Sequence, residues 1–296
     1  MKKLGLIIVI CALSFAFVWK DKLLMSEEAV EMNSSAKATI VMEADTGKVL
    51  YEDNSKQPLP IASMSKLMTQ YLVLHAINNE TLTWESTYQP SDYVQQMIQQ
   101  AGAVKLGMVT GNLYTVEELF IAMTVSSAND AAMALAEMVS GTEGAFVEQM
   151  NKQANSFGLK ETTFYNASGL DGNYIGKGQD ETNLSSARDV AVLAQQLIAT
   201  YPEVLAIASM TDFTTSEGTR LWSTNLMLPG MPQAFSGIDG LKTGYTDQAG
   251  SCLVSTGVFD DRRIITVVMD VEAGGNDTTN PRFELTKELI EQFVME

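Results

Sequence analysis

The stretch Pro60-Ile61-Ala62-Ser63-Met64-Ser65-Lys66-Leu67-Met68-Thr69-Gln70-Tyr71 sets a hydroxyl and an amine at the start of an apolar segment. Leu67, Tyr71, Leu74 and Ile77 recur at helical spacing, and Pro58 and Pro60 mark the entry, so a buried helix is expected over Ile61 to Ile77. On that helix Ser63 and Lys66 lie one turn apart on one face, with Cβ atoms about 5 to 6 Å apart. An amine comes within reach of a hydroxyl.

Working outward, Ala38 to Ala44 and Lys48 to Glu52 are β-branched, apolar runs flanking Asp45-Thr46-Gly47, which reads as a hairpin. On the other side, roughly Trp84 to Ala208, the 3.6-residue period returns in Val116 to Met123, Asp130 to Met138, Gly144 to Phe157 and Ser185 to Thr200. After Thr211 the pattern changes to strands, over Phe213 to Thr215, Gly240 to Tyr245, Ser251 to Val258 and Arg263 to Val271, the last two joined at Asp260-Asp261. Asn280 to Val294 closes as an amphipathic helix with Pro281 in its first turn. Strands at both ends of a helical middle imply an α/β (α+β) fold: one antiparallel sheet built from both termini, flanked by helices, with a helical subdomain inserted.

Composition narrows the chemistry. The net charge of −17 repels phosphate backbones and anionic headgroups, which argues against nucleic acid as a partner. One histidine, His75, and two cysteines, Cys11 and Cys252, cannot assemble the clusters that hold zinc, copper or iron, so neither a metal nor another cofactor is expected. Asp171-Gly172-Asn173 with Gly176 imitates a calcium loop, but Thr182 stands where a bidentate Glu is needed.

Residues 1–36 sum to zero charge, so the whole −17 belongs to the remainder. Lys2 and Lys3 precede an uncharged apolar run, Leu4 to Trp19, the arrangement read by export machinery. Its 16 residues span about 24 Å as a helix against a hydrocarbon core of about 30 Å, which leaves cleaved signal and retained anchor both open. The expected organisation is a signal or anchor over 1–20, a polar linker over 21–36 and one catalytic domain over 37–296.

Three short patterns carry the chemistry: Ser63-Met64-Ser65-Lys66, Ser127-Ala128-Asn129 and Lys242-Thr243-Gly244. With 22 serines and 14 lysines, about one Ser-x-x-Lys arises by chance, and the chain has a second at Ser34 to Lys37. Ser34 sits in the polar spacer with no helix to hold it, and Ser223 to Asn225 is a spare Ser-x-Asn. A serine needs a base, and His75 lies 12 residues, about 18 Å of helix, beyond Ser63. Lysine remains. Buried beside another cation such as Lys242, the Lys66 amine would lose its proton readily enough to accept one near neutral pH.

At these residues the chain resembles the active-site-serine penicillin-recognising enzymes, most closely the low-molecular-weight penicillin-binding proteins that are D-alanyl-D-alanine carboxypeptidases. Pro60 to Ser63, Asn129 to Ala132, Asn166 to Leu170, Ser186 to Asp189 and Asp239 to Thr246 followed by Ala249-Gly250 also look like family segments. The resemblance implies that Ser63 is the nucleophile, Lys66 the general base and Ser127 the proton relay to the leaving D-alanine. It implies that Asn129 binds the substrate amide and that Lys242 with Thr243 receives the terminal carboxylate. The backbone N–H groups of Ser63 and Tyr245 would form the oxyanion hole. The implied partners are a peptidoglycan stem peptide ending in D-Ala-D-Ala and β-lactam antibiotics as inhibitors, with membrane contact only through the N-terminal segment. Many such carboxypeptidases carry a further β-rich domain and a C-terminal anchor after the closing helix, and their absence here tips the expectation toward a retained N-terminal anchor. A serine β-lactamase is the first alternative, but Glu161 and Asn166 are five residues apart where class A enzymes place the pair four apart. A non-catalytic wall-peptide binder is the second, and it has no reason to keep Ser63, Lys66 and Lys242 together.

Overall fold

The computed structural model describes residues 35–99, 103–272 and 280–295; the apolar run Leu4 to Trp19 and residues 20–34, Ser34 among them, lie outside the described residues, whereas Ala36, expected as the last linker residue, already belongs to the first strand. Five strands, β1 Ala36–Glu43, β2 Val49–Asp53, β3 Ile238–Thr246, β4 Gly250–Phe259 and β5 Arg262–Val271, form one antiparallel sheet in the order β2-β1-β5-β4-β3. The last strand therefore lies beside the first, with Ile40 opposite Val267 and Met42 opposite Ile265. This is the two-ended sheet anticipated from the strand pattern, except that the strand expected over Phe213 to Thr215 does not join it: Asp212–Thr214 pairs with Arg220–Trp222 in a separate two-stranded ladder. Arg262 and Phe259 close the β4–β5 hairpin around Asp260 and Asp261, both at positive φ.

The described residues hold eight helices, α1 Lys66–Asn78, α2 Asp92–Ile98, α3 Val116–Val125, α4 Asn129–Ser140, α5 Glu143–Ser156, α6 Ala187–Thr200, α7 Val204–Ala208 and α8 Pro281–Phe293; six stand where the periodicity places them, and the short α2 and α7 are not expected from it. Helix α2 has only seven residues and no apolar stripe long enough to announce it; Ser91 caps it by accepting from the Val94 N–H at 3.2 Å. Short two-residue ladders, Leu59–Pro60 with Leu184–Ser185 and Thr87–Tyr88 with Tyr114–Thr115, tie the helical region together where the sequence has little strand signal.

The sheet is covered on both faces. Ile265, Val267 and Met269 join the large core shared with α6, whereas the alternate residues Ile264 and Val268, equally buried, lie outside that core. Phe283, Leu289 and Ile290 of α8 are buried outside it too, and α8 packs on β5, β4 and β1. In the helical part α1 is the axle, packed against α3, α4, α5 and α6. Every residue from Lys66 to Leu74 is buried, so the helix is enclosed all round and not merely along the stripe its periodicity suggested.

Candidate active site

A four-residue 3₁₀ turn, Ala62–Ser65, precedes α1 and presents Ser63 at the seam between helices and sheet. Two features hold it there. Asn183 donates through Nδ2 to Ser65 Oγ at 2.9 Å, and Ser65 Oγ donates to the Ala62 carbonyl at 2.7 Å. Behind the turn Gly169, at φ +83°, is packed so closely that a Cβ there would stand 1.9 Å from the Ala62 oxygen.

Lys66 is the first residue of α1 and has no exposed surface. Its Nζ lies 2.9 Å from Ser63 Oγ, donates to Asn129 Oδ1 at 2.7 Å and donates to the Ser168 carbonyl at 2.5 Å. Two of these partners are carbonyl oxygens that can only accept, so a neutral amine spends both its protons on them and turns its lone pair toward the Ser63 hydroxyl. Burial, and after it the Lys242 cation, holds the Lys66 pKa well below its ordinary 10.5, while Asp130 pulls the other way. The expected depression by Lys242 is thus present, though burial is the larger cause.

Lys242, Thr243 and Tyr245 sit on β3, the sheet edge nearest the 3₁₀ turn. Lys242 is 1% exposed, and burial together with Arg282 pushes its pKa down to about 7. Thr243 Oγ1 donates to Thr224 Oγ1 at 2.7 Å. Tyr245 is 65% exposed and lies at the lip of the cleft. Ser127, in the turn between α3 and α4, holds a left-handed φ of +67°, and Ala128, not Ser127, occupies the cap position of α4. Asn129 uses its amide at both ends, since Nδ2 donates to the Val104 carbonyl at 2.9 Å while Oδ1 takes the Lys66 proton. Ser63, Ser127, Asn129, Thr243 and Tyr245 line one cleft of about 210 Å³ with Ala103, Val104, Leu170, Gly244 and Thr246, and Lys66 and Lys242 lie buried behind its wall.

Three residues of this site escaped the sequence reading. Arg282, at the start of α8, lines the cleft and donates to the Gly244 and Cys252 carbonyls at 2.9 and 3.2 Å. Thr224 lines it from within the spare Ser-x-Asn triplet. Asp130 is 2% exposed and accepts from the N–H groups of Leu106 and Gly107 at 2.8 and 2.9 Å, which clamps the 103–109 loop over the cleft. The adjacency of Asp130 to Asn129 was the one available signal; nothing local marks Arg282 or Thr224. His75 is exposed and bonded to Tyr201 and Asn79, and Cys252 is fully buried with its thiol pKa pushed up to about 12 by burial; neither lines the cleft. Among the described residues no group of three or more His, Cys, Asp or Glu side chains is arranged to hold a metal ion.

An antiparallel sheet with inserted helices, and a serine one turn before a buried lysine in the seam between them, define the DD-peptidase-like class of penicillin-binding proteins. The chain belongs to the S11 peptidase family, D-alanyl-D-alanine carboxypeptidase, whose model matches residues 25–273. It is 35% identical over 277 residues to the D-alanyl-D-alanine carboxypeptidase DacF of Bacillus subtilis, covering 90% of this chain and 66% of that protein. It thus spans about two thirds of that relative's length. Among solved structures it is similar to the peptidoglycan synthesis regulatory factor PBP3 of Streptococcus pneumoniae, with TM-score 0.85 and 41% identity over 89% of this chain and 72% of that one. It is also similar to penicillin-binding protein D2 of Listeria monocytogenes in its cefotaxime-bound form, with TM-score 0.75 and 37% identity over 88% and 98% of the two chains.

Proposed function

We propose that the protein is a serine-type D-alanyl-D-alanine carboxypeptidase that trims peptidoglycan stem peptides through an acyl-enzyme on Ser63 and is acylated by penicillins at the same atom. The observation that carries this reading is the Lys66 amine, buried, 2.9 Å from Ser63 Oγ, with both its remaining contacts made to carbonyls. Ser63 Oγ attacks the carbonyl between the two D-alanines as its proton passes to Lys66 Nζ. The Ser63 and Tyr245 N–H groups stabilise the oxyanion, a contribution of about 3 to 4 kcal/mol per donor. The C–N bond then breaks as Ser127 hands the departing nitrogen a proton and receives in its place the one that Lys66 took from Ser63, which leaves Lys66 neutral again. Water attacks the ester and gives one proton to Lys66, which passes it to Ser63 Oγ as the ester C–O bond breaks, so that Ser63 and the neutral amine are both regenerated and the shortened acid leaves. Lys242, Thr243 and the adjacent Arg282 supply a cationic corner for the terminal carboxylate, and Asn129 orients the substrate amide.

The β-lactamase alternative lacks its deacylating pair. Glu161 is exposed, and Asn166 is buried with Oδ1 committed to the N–H groups of Ser168 and Gly169. The deciding experiment is mass spectrometry of the protein with a fluorescent penicillin and then with a D-alanyl-D-alanine peptide. A stoichiometric adduct on Ser63, absent from Ser63→Ala, with release of one D-alanine is expected; an adduct mapped to Ser65 or Ser127 overturns the assignment.

Such chemistry belongs outside the cytoplasm, and we place the domain there, tethered through Leu4 to Trp19. Because the rest of the chain carries the full −17, anionic membrane gives it no second hold. A chain beginning at Ala36 is expected to be soluble and active, while the full chain sediments with membranes and resists high salt. Recovery of the protein from the medium with Phe17 at its N-terminus would sink the tether.

A further inference from the structure

The carbonyl that takes one of the Lys66 protons belongs to Ser168, in a strap of residues 166–170 laid against α1. How that strap is held is unusual for a surface-connected loop. The preceding residue, Ala167, is wholly buried, and both sides of it are gripped: its N–H donates to Glu143 Oε1 at 2.8 Å, and its carbonyl accepts from Thr69 Oγ1 at 2.7 Å. Thr69 stands three residues after Lys66, on the same face of the same helix. Glu143, at the first turn of α5, is 7% exposed and uses its second oxygen, Oε2, to accept from the Tyr93 hydroxyl of α2. A buried carboxylate with both oxygens employed thus joins α2 and α5 to the Asn166–Ala167 peptide, two peptide units before the carbonyl that accepts from the base, and none of the expected catalytic roles uses it.

We infer that Glu143 is a positioning residue for Lys66: by anchoring the Ala167 peptide it sets the Ser168 carbonyl at the distance that keeps the Lys66 lone pair aimed at Ser63 Oγ. The inference deepens the proposed function and rests on Lys66 being the base. An amine that loses one fixed acceptor is free to rotate, and displacement of a reacting group by about 1 Å costs on the order of 100-fold in rate. A carbonyl acceptor also favours the protonated amine, so its withdrawal lowers the pH at which Lys66 becomes a base. The charged groups facing Lys66 are Lys242 on β3 and Asp130 on α4, and neither bonds to Glu143. Those facing the Glu143–Tyr93 pair include Glu137 on α4.

The test is the second-order rate of penicillin acylation at Ser63, by the full-length protein, as a function of pH, with thermal midpoints recorded alongside. Glu143→Leu should slow acylation about 10- to 100-fold per folded molecule and move the acid limb of the profile to lower pH. Glu143→Gln, which keeps an acceptor for the Ala167 N–H, should restore the wild-type rate and limb. Tyr93→Phe removes the outer bond alone and should lower the thermal midpoint with the acid limb in place. Should Glu143→Leu not fold, Glu143→Asp, whose carboxylate is drawn back by one methylene, should give the same two changes in smaller measure. A rate within twofold of wild type, or a slower rate with an unmoved acid limb, overturns the inference and makes Glu143 a stability residue only. Failure of the wild-type protein to form a Ser63 adduct would instead overturn the proposed function, so the two are told apart by the first control.

Discussion

At the scale of single residues, what distinguishes this site is how two lysines are denied water. In the proposed mechanism Lys66 is the base: its charged form is penalised by burial and by Lys242, so that no histidine is required. A guanidinium in its place keeps its proton at any working pH. Lys66→Arg is therefore expected to acylate at least 100-fold more slowly at pH 7, as measured with fluorescent penicillin, and a near-normal rate would exclude Lys66 as the base. The role proposed for Lys242 has the opposite requirement, a charge to draw a carboxylate, and its pKa is pushed down to about 7 by burial and Arg282. The value of kcat/KM for a D-alanyl-D-alanine peptide should thus rise as Lys66 deprotonates and fall again as Lys242 loses its proton. Removing the neighbouring positive charge raises the Lys242 pKa, so Arg282→Ala should carry the falling limb to higher pH.

Elements matter here chiefly as backstops. The 3₁₀ turn bearing Ser63 has no side-chain cap of its own and is located by the strap behind it. Gly169→Ala drives a methyl group to 1.9 Å from the Ala62 oxygen, so the turn must move. Acylation should collapse and stability should fall by about 1 to 3 kcal/mol, read from penicillin labelling and urea melts. Gly158→Ala is the matched control: it has a similar φ of +73° but nothing within 4 Å of the new Cβ, so it should cost about 1 kcal/mol and leave labelling intact. The strap is visible in the sequence as Asn166 to Leu170, but its task is not, because the atom it blocks lies more than a hundred residues earlier in the chain.

Over the whole molecule, the buried lysines leave a signature in the pH dependence of stability. The unfolded chain holds a proton on Lys66 and Lys242 up to about pH 10.5, whereas native Lys242 gives its own up near 7. Between those values the unfolded state binds more protons, and stability rises with pH, by up to about 1.4 kcal/mol per pH unit for each lysine. Tyr88 and Tyr201, both raised to about 12, and Cys252, raised to about 12, act in the reverse sense, but only above the ordinary thiol and phenol values of 9.0 and 10.0. Urea midpoints should therefore increase from about pH 7 to 8.5, and Lys242→Met should flatten that slope. A flat profile in the wild-type protein would mean that both lysines keep their charge in the native state.

What the sequence determined by itself are the relations that local spacing enforces. A residue three positions along a helix shares a face, so Ser63 and Lys66 could be paired on paper; alternation and turn residues located the hairpins, and the order of the three short patterns located the family. It did not determine what surrounds the amine. The Lys66 contacts to Asn129 and Ser168 close over 63 and 102 residues, and Arg282 reaches the site from the last helix. The depth of burial that depresses both lysines is likewise a property of the assembled core, since α1 is enclosed on all sides only once α3, α4, α5 and α6 have packed around it. The physical reason is that hydrogen-bond geometry and desolvation depend on distances in space, which local periodicity constrains within one helix or hairpin and only tertiary packing sets between them.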